Sequence, residues 1–325
     1  MTTNRSRPHA RPLALGLLLG AALDRVVPDP PRGHPVALFG RAAGALEAQL
    51  HAPTRARGAT FTALALTPVV ALGVGAESDP RPWRRAAVTG LATWAVVGGA
   101  MLEREALLLA GELEAGDLPA ARRRLPHLCG RDPRELDPAD LARATVESVA
   151  ENTSDAVTAP LLWGGLFGVP GLLGYRAVNT LDAMVGHRGD RYERFGWCAA
   201  RLDDVANWAP ARLTAVLAVV AAPLVAGSPV AALRAWRRDG HHHPSPNAGQ
   251  CESAFAGALG VRLGGTNVYG SRIEHRPDLG EGRQPETRDI RRAVRLARAV
   301  GLGAAAASAL LALVTASRRP RRRGP

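Results

Sequence analysis

Five stretches of this chain carry no charged residue: Gly58 to Ala76, Ala86 to Leu102, Ala156 to Tyr175, Leu213 to Leu233 and Ala299 to Ser317. A helix needs about 20 apolar residues to cross a hydrocarbon core of about 30 Å. Helices of soluble proteins are usually shorter and amphipathic. The pattern therefore predicts an all-α, polytopic integral membrane bundle, read as one membrane domain over residues 1–325. Its spans are expected near 58–76, 86–102, 156–175, 213–233 and 299–317. Polar blocks at 24–57, 103–155, 176–212 and 234–298 separate them and are where a site is expected.

Two apolar segments depart from a simple crossing. Ala156 to Tyr175 contains Pro160, Gly164, Gly165, Gly168, Pro170, Gly171 and Gly174. Such residues interrupt the ladder of backbone hydrogen bonds, so a broken or re-entrant helix pair is expected there. Leu13 to Leu23 is too short to span alone. Arg5, Arg7 and Arg11 precede it and Gly20-Ala21-Ala22 lies near its end, the shape of a signal peptide. A half-length helix that dips into the bilayer and is retained is the other reading. In the second polar block, Asp137 can cap a helix, with Pro138 at its first position and Asp140 at its third. That helix is predicted to run through Leu141, Thr145, Val149 and Asn152.

The formal net charge of +12 is carried entirely by arginine, because the chain has no lysine. This excludes a GxxxxGK[ST] phosphate loop, a Schiff-base lysine and a lysine base. Arginine remains suited to gripping phosphates and carboxylates bidentately. The basic residues lie between membrane segments rather than on an aromatic-studded face, which argues against nucleic acid as a partner. Three distant cysteines, Cys129, Cys198 and Cys251, form neither a disulfide framework nor a zinc knuckle. The Arg318 to Arg323 cluster favours a cytoplasmic C-terminus. A simple count of crossings then leaves the Arg-rich fourth block outside, so topology stays open.

The polar blocks carry the chemistry. Glu147, Glu151 and Asp155 recur every four residues and form one acidic ridge on a helix. Their mutual repulsion calls for a positive partner, either a hard cation with oxygen ligands or an arginine. Ser148 and Asn152 lie beside the ridge. The third block adds Asn179, Asp182, His187, Asp190, Arg201, Asp203, Asp204, Asn207 and Arg212. Asn179 and Asp182 share one helix face, and Asp203 and Asn207 share another. If the glycine-rich segment folds back, Glu151 meets Asn179 and Asp182, as expected for Mg²⁺ holding a polyphosphate whose oxygens Arg201 and Arg212 neutralise. The His241-His242-His243 run reads as a solvated turn. His34, between Gly33 and Pro35, has more claim to a fixed position.

These residues resemble the adenosylcobinamide-phosphate synthases of cobalamin assembly, the CobD/CbiB membrane proteins. The family's opening signature corresponds to Asp29-Pro30-Pro31-Arg32-Gly33-His34-Pro35-Val36. Its central signature corresponds to Ser148-Val149-Ala150-Glu151-Asn152-Thr153-Ser154-Asp155, followed by Tyr175 to Gly186 with Asn179 and Asp182. Arg191-Tyr192, Ala200-Arg201-Leu202-Asp203-Asp204 and Pro210-Ala211-Arg212-Leu213 follow. The late signature is Ser245-Pro246-Asn247-Ala248-Gly249, with Tyr269-Gly270 beyond it. The likeness runs from about Asp24 to about Arg295. It departs at Gln250-Cys251, where the family typically has Trp-Pro.

The resemblance implies ATP-dependent amide formation between the propionate of adenosylcobyric acid, a corrinoid, and (R)-1-aminopropan-2-ol or its O-phosphate. It implies Mg²⁺ on Glu151, Asp155 or Asp182, and phosphate contacts from Arg201 and Arg212. A proton acceptor is implied among Asp203, Asp204 and His187. Asn152, Asn179, His34, Asn247 and Tyr269 are implied in substrate binding. It further implies a multi-pass protein of the cytoplasmic membrane, in contact with lipid and with other cobalamin-assembly proteins. A Mg²⁺-dependent diphosphate enzyme such as a prenyltransferase is one rival reading, and a non-catalytic transporter or sensor is another.

Overall fold

A computed structural model describes residues 10–28, 30, 33–187, 189–269 and 272–318, without the side chains of 267–269, 272–273 and 316–318. The helices in chain order are α1 (Ala10–Val26), α2 (Pro35–Leu50), α3 (Arg55–Ala76), α4 (Pro82–Val96), α5 (Gly99–Glu114), α6 (Leu118–Arg124) and α7 (Pro138–Thr153). They continue with α8 (Ala159–Phe167), α9 (Val169–Leu181), α10 (Trp197–Ala221), α11 (Pro229–Asp239), α12 (Ala248–Leu259) and α13 (Thr287–Arg318). Among the described residues, one hairpin of antiparallel strands, β1 (Leu263–Tyr269) and β2 (Arg272–Leu279), accompanies the helices. Among the described residues, four helical stretches are long and apolar enough to cross a membrane: Arg55–Ala76, Pro82–Glu114, Trp197–Val225 and Thr287–Thr315. This is an all-α membrane protein.

The chain divides into two compact units, each built from separate pieces of sequence. The first comprises Met1–Gly98, Ala159–Ala206 and Ala305–Pro325, and the second comprises Gly99–Thr158 and Asn207–Ala304.

In the first unit the 13–23 segment lies within α1, whose small face packs on α4. A Cβ added at Gly16 would stand 2.5 Å from the Thr89 Cβ, so glycine is what allows this approach. From Ala159 onward the 156–175 segment is built as α8 and the first half of α9, broken at Gly168, where φ is +73°. Glycine reaches that conformation without the clash a Cβ would meet. The first N–H of α9 is met by Glu77 Oε1, which accepts from Val169 N at 2.8 Å. α8 and α9 pack so closely that a Cβ at Gly171 would collide with the Trp163 carbonyl. A core of Ala43, Phe61, Leu181, Val185 and Phe195 closes the α2–α3–α9 side.

The second unit is organised around α7, in which Leu141 to Ala150 are all buried. The Asp137 carboxylate caps this helix, accepting from Asp140 N at 2.8 Å, and Pro138 occupies its first turn. Leu109, Leu125, Val149, Phe255 and Ile290 belong to the surrounding core.

The expected 86–102 span lies within the Pro82–Glu114 stretch, with one extended residue, Val97, between α4 and α5. Two other expected boundaries are corrected. The expected span over 213–233 is instead α10 and a short 3-10 turn ending at Val225. Ala226 then takes a left-handed conformation at φ +54°, and Ser228 caps α11, its Oγ accepting from Ala231 N at 3.3 Å. As a result Arg201, Asp203 and Asp204 lie in the first turns of a long apolar helix rather than in a connecting block. The hairpin was not foreseen. Gly264 and Gly265, at φ +91° and +81°, form the irregular entry to it, and β-favouring Thr266, Val268 and Ile273 follow.

Candidate functional site

In the second unit the acidic ridge of α7 divides by partner. Glu147 is answered by arginine: its Oε2 pairs with Arg131, and both side chains are almost fully buried. Its Oε1 accepts from the Gly264 N–H at 2.7 Å, and Arg143 stands 3.7 Å away. Arg143 also donates to the Gly264 and Thr266 carbonyls, pinning the hairpin to α7. An isolated buried charge is costly, and this network removes that cost.

Glu151, one turn on, is half-buried. Desolvation pushes its carboxyl above the ordinary value, opposed by the positive charges of Arg276 and Arg131. Asn152 turns its amide back along the helix, donating to the Ser148 carbonyl at 2.9 Å and to Ser148 Oγ at 3.1 Å. Asp155 lies in a π-helical turn, Ser154–Thr158, that follows α7 directly. Such turns displace side chains from the regular helical face and recur at functional sites.

The unit also brings Arg212 and Asn247 together. The Arg212 guanidinium lies 4.4 Å over the Trp208 ring and donates to the Trp208 carbonyl at 2.8 Å and to Asn247 Oδ1 at 3.5 Å. At Gln250, where the family pattern has Trp, the side chain ties α12 to α11. It accepts from Trp236 Nε1 at 2.8 Å and donates to the Gly240 carbonyl at 2.7 Å.

Two residues of this unit escaped the sequence reading. Glu252, on α12, has no solvent exposure and neither carboxylate oxygen has a hydrogen-bond partner. His243 Nε2 lies 3.8 Å from Glu252 Oε1. His243 is buried while His241 and His242 are exposed, so the expected solvated turn holds for two histidines and is corrected for the third. Burial lowers the His243 imidazole to about 4, aided by Arg276.

In the first unit, α9 and α10 bring Asn179 and Asp203 together. Asn179 Nδ2 donates to Asp203 Oδ1 at 3.3 Å, and Arg176 donates to Asn179 Oδ1 at 3.4 Å. Asp182 opens a second π-helical turn, Asp182–Gly186. Its carboxylate occupies the space a Cβ at Gly186 would need. Arg201 is 77% exposed and lies 3.7 Å from Asp204. His187 is exposed, its ring 4.8 Å edge-on to Tyr192. His34 precedes α2, with its ring 6.4 Å from that of Trp94. The sequence reading also missed Glu47, a buried carboxylate that accepts from Tyr192 Oη at 2.8 Å and from Arg191 at 3.0 Å. The Tyr269 side chain lies outside the described residues.

The expected ligands thus fall as Glu151 and Asp155 in the second unit and Asp182 in the first. Among the described residues, no group of three or more His, Cys, Asp and Glu is arranged to hold a metal ion. The donors that are present, carboxylates and amide oxygens, are hard-cation ligands rather than thiolate or imidazole sets.

The profile of the CobD/Cbib protein family matches residues 17–297. A protein named cobalamin biosynthesis protein CobD from Mycobacterium tuberculosis is 55% identical over 299 residues, covering 92% of this chain and 95% of that protein. Proteins of the same name from Chromobacterium violaceum and Rhodobacter capsulatus are 43% and 41% identical. Each covers 87% of this chain, with 91% and 90% of their own lengths matched. No solved structure matches the chain. A match of this extent, with the Glu151–Asp155 and Asn179–Asp182 blocks inside it, shows that the chain belongs to the CobD/CbiB family of cobalamin biosynthesis proteins.

Proposed function

We propose that the protein is an amide-forming ligase of the cytoplasmic membrane, with several crossings. It joins the free carboxylate of adenosylcobyric acid to 1-aminopropan-2-ol or its phosphate at the expense of ATP. The observation that carries this reading is the Glu151–Asp155 block: a half-buried carboxylate on α7 runs directly into a π-helical turn bearing a second one. Family membership supplies the pathway and this block supplies a suitable site.

A carboxylate is a poor electrophile. Phosphoryl transfer from ATP converts it to an acyl phosphate, and the amine then displaces phosphate from the acyl carbon. Mg²⁺ takes only one or two protein carboxylates and completes its shell with phosphate oxygens and water. Glu151 and Asp155 of the second unit, or Asp182 of the first, suit that role. When bound, the ion would neutralise the charge of the ATP phosphates. Arg201, with its guanidinium exposed, and Arg212, held over Trp208, are suited to phosphate oxygens. Asn152, Asn179, Asn247, His34 and Tyr269 are the candidate substrate contacts. Asp203, Asp204 and His187 are first-unit groups able to take a proton from the amine. Membrane lipid and other enzymes of cobalamin assembly are the proposed partners.

The test uses washed membranes containing the protein, given adenosylcobyric acid, ATP, Mg²⁺ and either form of aminopropanol. Mass spectrometry should find the amide and ADP only when protein and ATP are both present. Glu151→Gln should reduce turnover by a hundredfold or more, about 3 kcal/mol of transition-state stabilisation. Amide formation without ATP, or full turnover by Glu151→Gln, would contradict the reading.

A further inference from the structure

Within the second unit, two stretches long and apolar enough to cross a membrane meet at their ends. Val225 closes the Trp197–Val225 stretch, and its carbonyl accepts from Arg292 Nη2 at 3.0 Å. Arg292 lies near the start of α13, where Arg291, Arg295 and Arg298 also precede the uncharged run from Ala299. Arginines gathered at the end of an apolar run mark the headgroup level of a bilayer. The chain leaves this level through the left-handed turn at Ala226, and α11 then begins at Pro229.

Packing fixes which face of α11 points outward. Its small inner face lies so close to α12 that a Cβ added at Gly257 would stand 2.6 Å from the Ala231 carbonyl oxygen. Trp236 Nε1 donates to Gln250 Oε1 at 2.8 Å, and the Asp239 carboxylate accepts from Gly280 N at 2.8 Å. The face left outside carries Val230, Leu233, Arg234 and Arg237, all exposed and spaced as neighbours on a helix surface. Leu224, at the end of the span, is 69% exposed and Val230 is 65% exposed. The outer stripe is therefore apolar where it leaves the span and basic towards its C-terminal end. Arg238 is paired with Asp239 and Glu281, whereas Arg234 and Arg237 have no ion-pair or hydrogen-bond partner among the described residues.

We propose that α11 is an interfacial helix whose outer face docks on an anionic lipid surface. Leu224, Val230 and Leu233 enter the boundary between headgroups and acyl chains, and Arg234 and Arg237 grip lipid phosphates. A helix that carries leucine and valine beside arginine is suited to that boundary, and a guanidinium meets a phosphate bidentately. The long arginine stems lie along apolar surface while their charged ends reach the headgroups. The inference needs a membrane and not the amide-synthase reading, so either can fail without the other.

Photocrosslinking and lipid retention of the full-length protein test this. Benzoylphenylalanine in place of Leu233, irradiated in nanodiscs of phosphatidylcholine and phosphatidylglycerol, should form a lipid adduct detectable by mass spectrometry. The same probe in place of Val220, exposed within the span, is the positive control. In native mass spectrometry the wild type should retain phosphatidylglycerol over phosphatidylcholine, a preference that added salt weakens. Arg234→Gln with Arg237→Gln, shown to be folded by its thermal transition, should lower that preference about fivefold for each charge removed. Arg234→Lys with Arg237→Lys should keep most of it, and inorganic phosphate should not displace the lipid. No lipid adduct at Leu233 from protein that labels lipid at Val220 would overturn the docking, as would an adduct to a second copy of the chain in its place. An unchanged preference in the glutamine variant, or displacement of the lipid by inorganic phosphate, would overturn it equally.

Discussion

Arg131 and Glu147 show what a buried charge demands of its neighbours. Their side chains are 5% and 3% exposed, and Glu147 has a second donor in the Gly264 N–H. Arg131→Ala would leave Glu147 charged and enclosed, which costs about 3–5 kcal/mol. Arg131→Ala with Glu147→Gln should recover much of that loss, and thermal unfolding in detergent measures both. Glu252 and His243 make opposite contributions to the pH dependence of stability. Because the folded state holds the Glu252 proton more tightly than the unfolded chain does, its contribution to stability falls as pH rises above the ordinary carboxylate value. His243, lowered to about 4, resists a proton that the unfolded chain takes up near 6.5. Stability is therefore lost as pH falls through 6.5 towards 4, by about 3 kcal/mol at most. Glu252→Gln should flatten the alkaline limb and leave the acid limb in place. Melting temperatures across pH would contradict this if both limbs moved together. The acidic ridge was legible because its period of four is a property of sequence. Glu252 was not: it stands alone in Gln250-Cys251-Glu252-Ser253, and only folding reveals that its oxygens find no partner.

At the scale of elements, local chemistry was readable wherever it acts within a turn or two. Asp137, Pro138 and Asp140 mark the start of α7, and the Asp137 cap forms. Asp137→Ala should cost about 1 kcal/mol. The run of Gly and Pro in 156–175 corresponds to α8 and α9 meeting at Gly168. Gly171→Ala would drive a methyl into the Trp163 carbonyl and should cost about 1–3 kcal/mol. Thermal unfolding of each variant checks these values. What sequence did not show are features decided by distant partners. The hairpin is held by Arg143, more than a hundred residues away, and nothing near Leu263 announces that. The Leu213–Leu233 stretch is uncharged throughout, yet Ala226 turns left-handed and Ser228 starts a new helix. A hydropathy pattern registers the absence of charge, not the direction of the chain. The two π-helical turns, each closing a signature block, were likewise invisible, because an extra residue in a helical turn leaves composition unchanged.

At the scale of the molecule, the sequence pattern and the fold agree on a membrane-embedded helical chain, and the family match accounts for residues 17–297. The candidate residues divide between two compact units. Glu151, Asp155, Arg212 and Asn247 lie in one, and Asn179, Asp182, Asp203 and His34 in the other. Each unit draws on separated pieces of the chain, so no single stretch of sequence could have shown that division. The proposed reaction makes one demand that no rival reading shares. If the corrinoid carboxylate is activated as an acyl phosphate, its oxygen must leave with the phosphate when the C–N bond forms. The most direct measurement is therefore turnover of adenosylcobyric acid labelled with ¹⁸O in the free carboxylate, with the released phosphate analysed by mass spectrometry. The account predicts one labelled oxygen in each phosphate formed alongside amide. Unlabelled phosphate accompanying the amide, or no amide from folded protein supplied with every substrate, would contradict it.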